Sequence, residues 1–305
     1  MKDKDEARAR LKGLFNITVT PFSVDGSLDT GALAAAVERI IAFGFDGLLI
    51  GGTYGEFAVM TPAERVELFR VASDVAGNRV PLLLCSADSD VRVARDLTVA
   101  ATELGGIPML TPPFVSEVTD EHIIRFFQEI APLSRTGVVI YNAPGIGLTL
   151  SSELIERIAD IQDVIGLKQG DLAPTVVDRL VGRLGGRIRL FCASDLQMLG
   201  PALNEFDGLS STNSCALPEL ILESYRSLAA GDAQHGAALY RRWFEYREFA
   251  REAGQPQTVK AAMRLRGWQG GVVRRPLREL SKAEMTKLES ILDRLVPSRA
   301  PIAAS

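Results

Sequence analysis

The chain has 305 residues, 47% of them hydrophobic and 24% charged, with a formal net charge of −4. That mild acidity gives no electrostatic footprint for nucleic acid, and no apolar run approaches the roughly 20 residues that cross a bilayer. The length suits one large α/β barrel with an extension as well as it suits two ordinary domains.

Residues 1–14, opening MKDKDEARARLKG, are charged throughout and lack the apolar core of a signal peptide. They read as a lead-in, either a solvated helix or a frayed tail. From residue 15, short apolar runs alternate with helical patterns. The runs are FNITVTPF (15–22), GLLIGG (47–52), PLLLCSA (81–87), GIPML (106–110), GVVIYNAP (137–144), VIGLKQG (164–170), IRLFCAS (188–194) and GLSSTN (208–213). Helix-forming stretches follow them; one opens with Thr61 as N-cap, Pro62 at the first helical position and Glu64 three residues after the cap. Near-continuous apolar strands alternating with helices imply a parallel sheet covered on its faces. Eight such units are the pattern of a (β/α)₈ TIM barrel over residues 15–230. The competing open, doubly wound sheet would carry a glycine fingerprint after its first strand; here that strand runs into TPFSVDGSLD.

Residues 231–305 read as a C-terminal helical region, with helices near 232–253, 256–267 and 281–294. The loop GWQGGVVRRPL (267–277) precedes the last of them, and its arginines read as structural or surface groups. Cys85, Cys192 and Cys215 are far apart and form no CxxC pair, so buried thiols and a reducing, cytoplasmic setting are expected. With two histidines in the chain, no metal site is expected.

Chemistry in an α/β barrel belongs at the C-terminal ends of the strands, and three ends carry residues that strand packing would not choose. Lys168 closes VIGLKQG. Burial lowers a lysine's pKa, and a neutral amine can form a Schiff base with a ketone. A structural reading has it snorkelling to water or paired with Asp171. GGTYGEF (51–57) offers backbone N–H groups around Gly52 together with the Thr53 hydroxyl, an arrangement suited to a carboxylate or to an ordinary tight turn. Tyr141, on the neighbouring strand, brings a phenol able to pass protons or simply to pack at the rim.

With these residues in place, the chain resembles the class I, Schiff-base pyruvate lyases of the dihydrodipicolinate synthase and N-acetylneuraminate lyase superfamily. The resemblance runs from GLFNITVTPF to RRPL and is carried by GGTYGE, LTPP, YNAPG and GLKQG in that order. It implies Lys168 as the imine-forming lysine, Tyr141 as the catalytic tyrosine, and Thr53 with the backbone of Tyr54 as holders of a 2-oxo acid carboxylate. It also implies a barrel with C-terminal helices, no metal or cofactor, and a homo-oligomer, usually a tetramer.

Departures from the family pattern bear on the substrate. Tyr54 stands where a second small hydroxyl is common. Pro113 and Phe114 stand where dihydrodipicolinate synthases carry relay tyrosines. YNAPGIGLTL is one residue short and places Ile146 near the arginine that grips the second substrate's carboxylate; an apolar side chain cannot replace a guanidinium. Ser210, with Ser211, Thr212 and Asn213, suggests a polar lining for a polyhydroxylated tail, as do Ser194 and Asp195, although Asp195 could be a helix cap. The leading expectation is therefore a lyase, aldolase or dehydratase, acting on pyruvate or a 2-oxo-3-deoxy sugar acid. Dihydrodipicolinate synthase itself is the alternative enzyme, and a barrel that binds 2-oxo acids without turnover is the alternative of another class. Metal-dependent and nicotinamide chemistry lack their motifs, and neither nucleic acid nor membrane is expected as a partner.

Overall fold

Eight parallel strands close into a single barrel in chain order: β1 (Gly13–Thr18), β2 (Gly47–Ile50), β3 (Leu82–Cys85), β4 (Ile107–Leu110), β5 (Val138–Asn142), β6 (Val164–Gln169), β7 (Arg189–Cys192) and β8 (Gly208–Ser211). The computed structural model describes residues 3–296; residues 1–2 of the expected lead-in and 297–305 of the expected C-terminal region lie outside that range. β8 returns to β1 with Gly13 beside Gly208 and Asn16 beside Ser211, which rules out the open sheet. Each strand matches one of the eight apolar runs, most of them shortened by a few residues, while β1 starts two residues before its run, at Gly13.

Alternation along the strands sorts the apolar residues into two sets. Phe15, Ile17, Leu49, Leu83, Met109, Val139 and Phe191 form one buried cluster, filling the barrel. Leu14, Leu48, Ile50, Leu84, Ile140 and Leu167 belong to a larger cluster shared with the surrounding helices. Within the barrel, Phe15 and Phe191 meet edge to face with centroids 5.0 Å apart. Their rings fit because Gly47 and Gly208 leave space: a Cβ at Gly47 would strike the Phe15 ring, and one at Gly208 the Phe191 ring.

The helices are α1 (Lys4–Arg10), α2 (Thr30–Phe43), α3 (Pro62–Ala76), α4 (Val91–Glu103), α5 (Asp120–Ile130), α6 (Ser152–Ala159), α7 (Pro174–Leu184), α8 (Leu199–Leu203), α9 (Pro218–Ala229), α10 (Ala233–Arg242), α11 (Phe244–Ala253), α12 (Gln255–Leu265) and α13 (Lys282–Leu295). The capping box read at Thr61 and Glu64 is present at the start of α3. The lead-in is a helix, but not a wholly solvated one: Ala7 and Leu11 are buried with the barrel-filling cluster, so α1 stoppers the end of the barrel from which β1 starts. The helix expected over 232–253 is two. It breaks at Trp243, whose fully buried ring packs against Tyr240 and Tyr246; no glycine or proline marks the break. The arginine loop 267–277 is structural. Arg274 donates to Glu64, to the carbonyls of Gly26 (2.8 Å) and Val59 (3.0 Å), and stacks over Phe22.

Candidate active site

The register of β5 on β6 sets Tyr141 directly beside Lys168 and Asn142 beside Gln169. Asn142 and Gln169 hold this edge rigid. The Asn142 amide donates to Gln169 Oε1 (2.9 Å) and to the Leu150 carbonyl (3.3 Å), while its oxygen accepts from Leu150 N (2.9 Å). The two reacting candidates therefore stand on paired strands whose ends are tied together.

Lys168 is 1% exposed. Its Nζ lies 3.8 Å from the centroid of the Tyr141 ring, and among the described residues no carboxylate lies within salt-bridge distance of it, so the Asp171 pairing is absent. Burial lowers its pKa from 10.5 to about 7. Cys85 and Cys192 are close enough to oppose that shift if ionised, but burial raises both thiols, Cys192 to about 12. At neutral pH they are uncharged and offer the ammonium no counter-ion. The amine is therefore about half unprotonated near pH 7, the form that attacks a carbonyl.

The Tyr141 phenol is 2.8 Å from Thr53 Oγ1. Burial raises its pKa well above the usual value, so it is protonated at neutral pH and can donate. Thr53 opens a short turn, Thr53–Gly55, capped by Gly52, and a turn that starts there leaves the N–H groups of Thr53 and Tyr54 without acceptors inside it. A carboxylate set against the turn would meet those N–H groups and the Thr53 hydroxyl.

The turn is anchored from the far end of the chain. Glu56 adopts a left-handed backbone, φ 61°, a conformation that costs a non-glycine residue on the order of 1 kcal/mol or more. Its buried carboxylate accepts from Lys260 Nζ and from Arg274 N (2.9 Å), and Lys260 donates again to the Val272 carbonyl (2.7 Å). Thr20 adds a bond to the Gly55 carbonyl (2.6 Å). Glu56 and Lys260 escaped the sequence reading, and Arg274 entered it only as a structural or surface group of its loop. Only the charge inside the GTYGE turn hinted at them, since the partners are far away along the chain.

Thr53, Tyr54, Tyr141, Pro144, Ile146, Ser194, Gln197 and Arg251 are among the residues that line a cavity of about 260 Å³, while Lys168, buried against the Tyr141 ring, is not itself on the wall. The cavity is small for a ligand site and suits a short polar acid. A larger groove of about 690 Å³ lies between α11 and α13, lined by helix side chains alone and remote from the strand ends. Ile146 is on the cavity wall. Phe114 is not: it is exposed, with its backbone exchanging 3.0 Å hydrogen bonds with the Ser89 hydroxyl. Ser210 is also absent from the wall. It is fully buried and its hydroxyl donates to the Cys192 carbonyl (3.1 Å). Ser211 and Asn213 instead serve Asp195, which accepts from the Ser211 hydroxyl, from Asn213 N (3.2 Å) and from Asn213 Nδ2 (2.9 Å). Asp195 is thus no helix cap; Ser194 takes that role. The polar stretch after β8 builds a buried network behind the cavity.

A family model, the dihydrodipicolinate synthetase family, matches residues 10–295. The chain belongs to that family. Among curated relatives, it is 29% identical over 283 residues to 4-hydroxy-tetrahydrodipicolinate synthase 2 of Halalkalibacterium halodurans, covering 91% of this chain and 96% of the relative. Synthase 1 of the same organism is 27% identical over 274 residues, covering 89% and 92%. Among solved structures, a chloride-inhibited dihydrodipicolinate synthase from Acinetobacter baumannii, complexed with pyruvate, superposes with a TM-score of 0.88 at 25% identity, covering 93% of this chain and 98% of that one. Membership of the family makes the protein an enzyme of the Schiff-base lyase class. Among the described residues, no helix is long and apolar enough to cross a membrane.

Proposed function

We propose that Lys168 forms the imine with a 2-oxo acid, that Tyr141 moves the protons, and that Thr53 with the N–H groups of Thr53 and Tyr54 holds the acid's carboxylate. The neutral Lys168 amine attacks C2, and the carbinolamine loses water as the Tyr141 phenol protonates the departing hydroxyl. The imine nitrogen, once protonated, accepts the electron pair released at C3. In an aldolase the Tyr141 phenolate left by the loss of water takes the C4 hydroxyl proton as the C3–C4 bond breaks to release an aldehyde, and then returns it to C3; in a dehydratase it takes the C3 proton and returns it to the hydroxyl that leaves C4 as water. Reversal at C2 by water frees the lysine. The observation that carries this reading is one buried, unpaired amine against a tyrosine whose phenol is bonded to the threonine of an N–H-rich turn.

The substrate we favour is pyruvate or a 2-oxo-3-deoxy acid with a polar tail, facing Ser194 and Gln197. Condensation of pyruvate with aspartate semialdehyde, the reaction named for the curated relatives, is the second reading; Ile146 weighs against it, because that wall of the cavity is apolar. We place the enzyme in the cytoplasm, in keeping with three buried free thiols, and expect it to act as a homo-oligomer through surfaces that include exposed Phe114 and Val115. One similar structure, at 23% identity, is of a monomeric variant.

Treating the protein with pyruvate and borohydride and measuring its intact mass tests the assignment. One reduced-pyruvate adduct, mapped to Lys168 and missing from Lys168→Ala, is the expected result. An adduct on another lysine, or none with pyruvate or larger 2-oxo acids, overturns it.

A further inference from the structure

The cavity lining includes a cation that the chemistry at Lys168 does not use. Arg251, on α11, is the one charged residue among the described residues that line it, and no acidic side chain faces it there. The acids nearest in sequence turn toward the groove against α13, which Glu245, Glu248 and Glu252 all line; Glu252 pairs there with Lys287, and Glu245 with Arg294. Arg251 itself has no carboxylate within salt-bridge distance among the described residues. One turn earlier, Arg247 stacks 3.5 Å from the centroid of the Tyr240 ring, and the Tyr240 phenol donates to the carbonyl of Leu196, itself part of the cavity wall. This contact fixes α11 against the loop after β7, and the Arg247 charge faces the buried Asp195 carboxyl rather than the cavity wall. On that wall, Ile146 leaves the loop after β5 without a cation.

From this juxtaposition we infer that Arg251 binds a second anionic group, a carboxylate, at the far end of the substrate, so that the enzyme selects 2-oxo acids with two carboxylates. One carboxylate sits at the Thr53 turn beside the reacting carbonyl. The other reaches the guanidinium, which alone among side chains offers a planar pair of donors matched to it. The inference rests on imine formation at Lys168 and adds the class of tail. Arg251 is solvent-exposed, so the attraction is partly screened and falls with salt.

The test compares two acids of equal length that differ at the far end, 2-oxoglutarate and 2-oxopentanoate, by borohydride trapping on the full-length enzyme. The readout is the ratio of the concentrations giving half-maximal adduct. In the unaltered enzyme 2-oxoglutarate is favoured by about tenfold at low salt, as expected for a charge-assisted hydrogen bond at a wet site, and the ratio shrinks as salt is raised. Arg251→Ala and Arg251→Gln bring it near one, and Arg251→Lys keeps part of it. Arg242→Ala, an exposed arginine off the cavity wall, leaves it unchanged. A ratio near one in the unaltered enzyme, or one that survives both Arg251→Ala and Arg251→Gln, overturns the inference while imine formation stands. No adduct with either acid overturns this inference, and pyruvate trapped alongside separates the two readings: an adduct on Lys168 leaves imine formation standing, and none overturns it as well.

Discussion

Replacing Lys168 with methionine should make the protein more stable while abolishing adduct formation. The two side chains have similar length, so the exchange chiefly removes the ammonium. In the unfolded chain the amine titrates near its ordinary 10.5, and in the fold near 7. Stability is therefore lost as pH falls from about 10.5 to about 7, where the unfolded state binds a proton that the folded state does not, and is flat below. At about 1.4 kcal/mol per tenfold in proton affinity the full penalty is about 5 kcal/mol below pH 7, about 4 kcal/mol at pH 7, and about 1 kcal/mol at pH 10. Urea unfolding of Lys168→Met and the unaltered protein at about pH 6, 8 and 10, at one protomer concentration, measures the difference directly. The variant should gain most at the lowest pH, and the gain should fade toward pH 10. Equal stabilities at pH 6, or a gain that does not change with pH, would refute the claim that burial without a counter-ion poises this amine.

Two further outcomes follow from the same geometry. Tyr141→Phe keeps the ring beneath the amine but removes the phenol bonded to Thr53; pyruvate trapping should slow by about 10²- to 10⁴-fold while the midpoint of its pH dependence stays near 7, and a displaced midpoint would show that the phenol, not burial, sets the lysine. Lys260→Met strands the buried Glu56 carboxylate and should cost about 3–5 kcal/mol, with Lys260→Met/Glu56→Gln recovering part of it in thermal or urea unfolding; a double variant no more stable than the single one would mean that the ion pair is not what anchors the turn.

The parts of the molecule legible in the sequence are those governed by local pattern. Each strand announced itself because a barrel strand is apolar on both faces, and Lys168, Tyr141 and Thr53 stood out as exceptions at strand ends. The turn at Trp243 did not, because a buried aromatic ring breaks that helix without help from glycine or proline. Ser210 was read as lining since hydroxyls at a strand end look available; its oxygen is spent on the Cys192 carbonyl of the neighbouring strand, a partner visible only once the barrel closes. Glu56 and Lys260 lie 204 positions apart, beyond the reach of any periodicity. Nothing in the sequence singles out Arg251, which only the packing of α11 brings to the cavity wall.

That separation of Glu56 from Lys260 has a temporal side. A ribosome working at about 5–20 residues per second needs roughly 10–40 s to pass from one to the other. For the last part of that interval, the roughly 5–18 s between Lys168 and Lys260, the barrel's reactive strands exist while the anchor of the Thr53 turn does not. Until Lys260 has been made, the nascent chain lacks the buried ion pair that ties the Thr53 turn to the C-terminal helices.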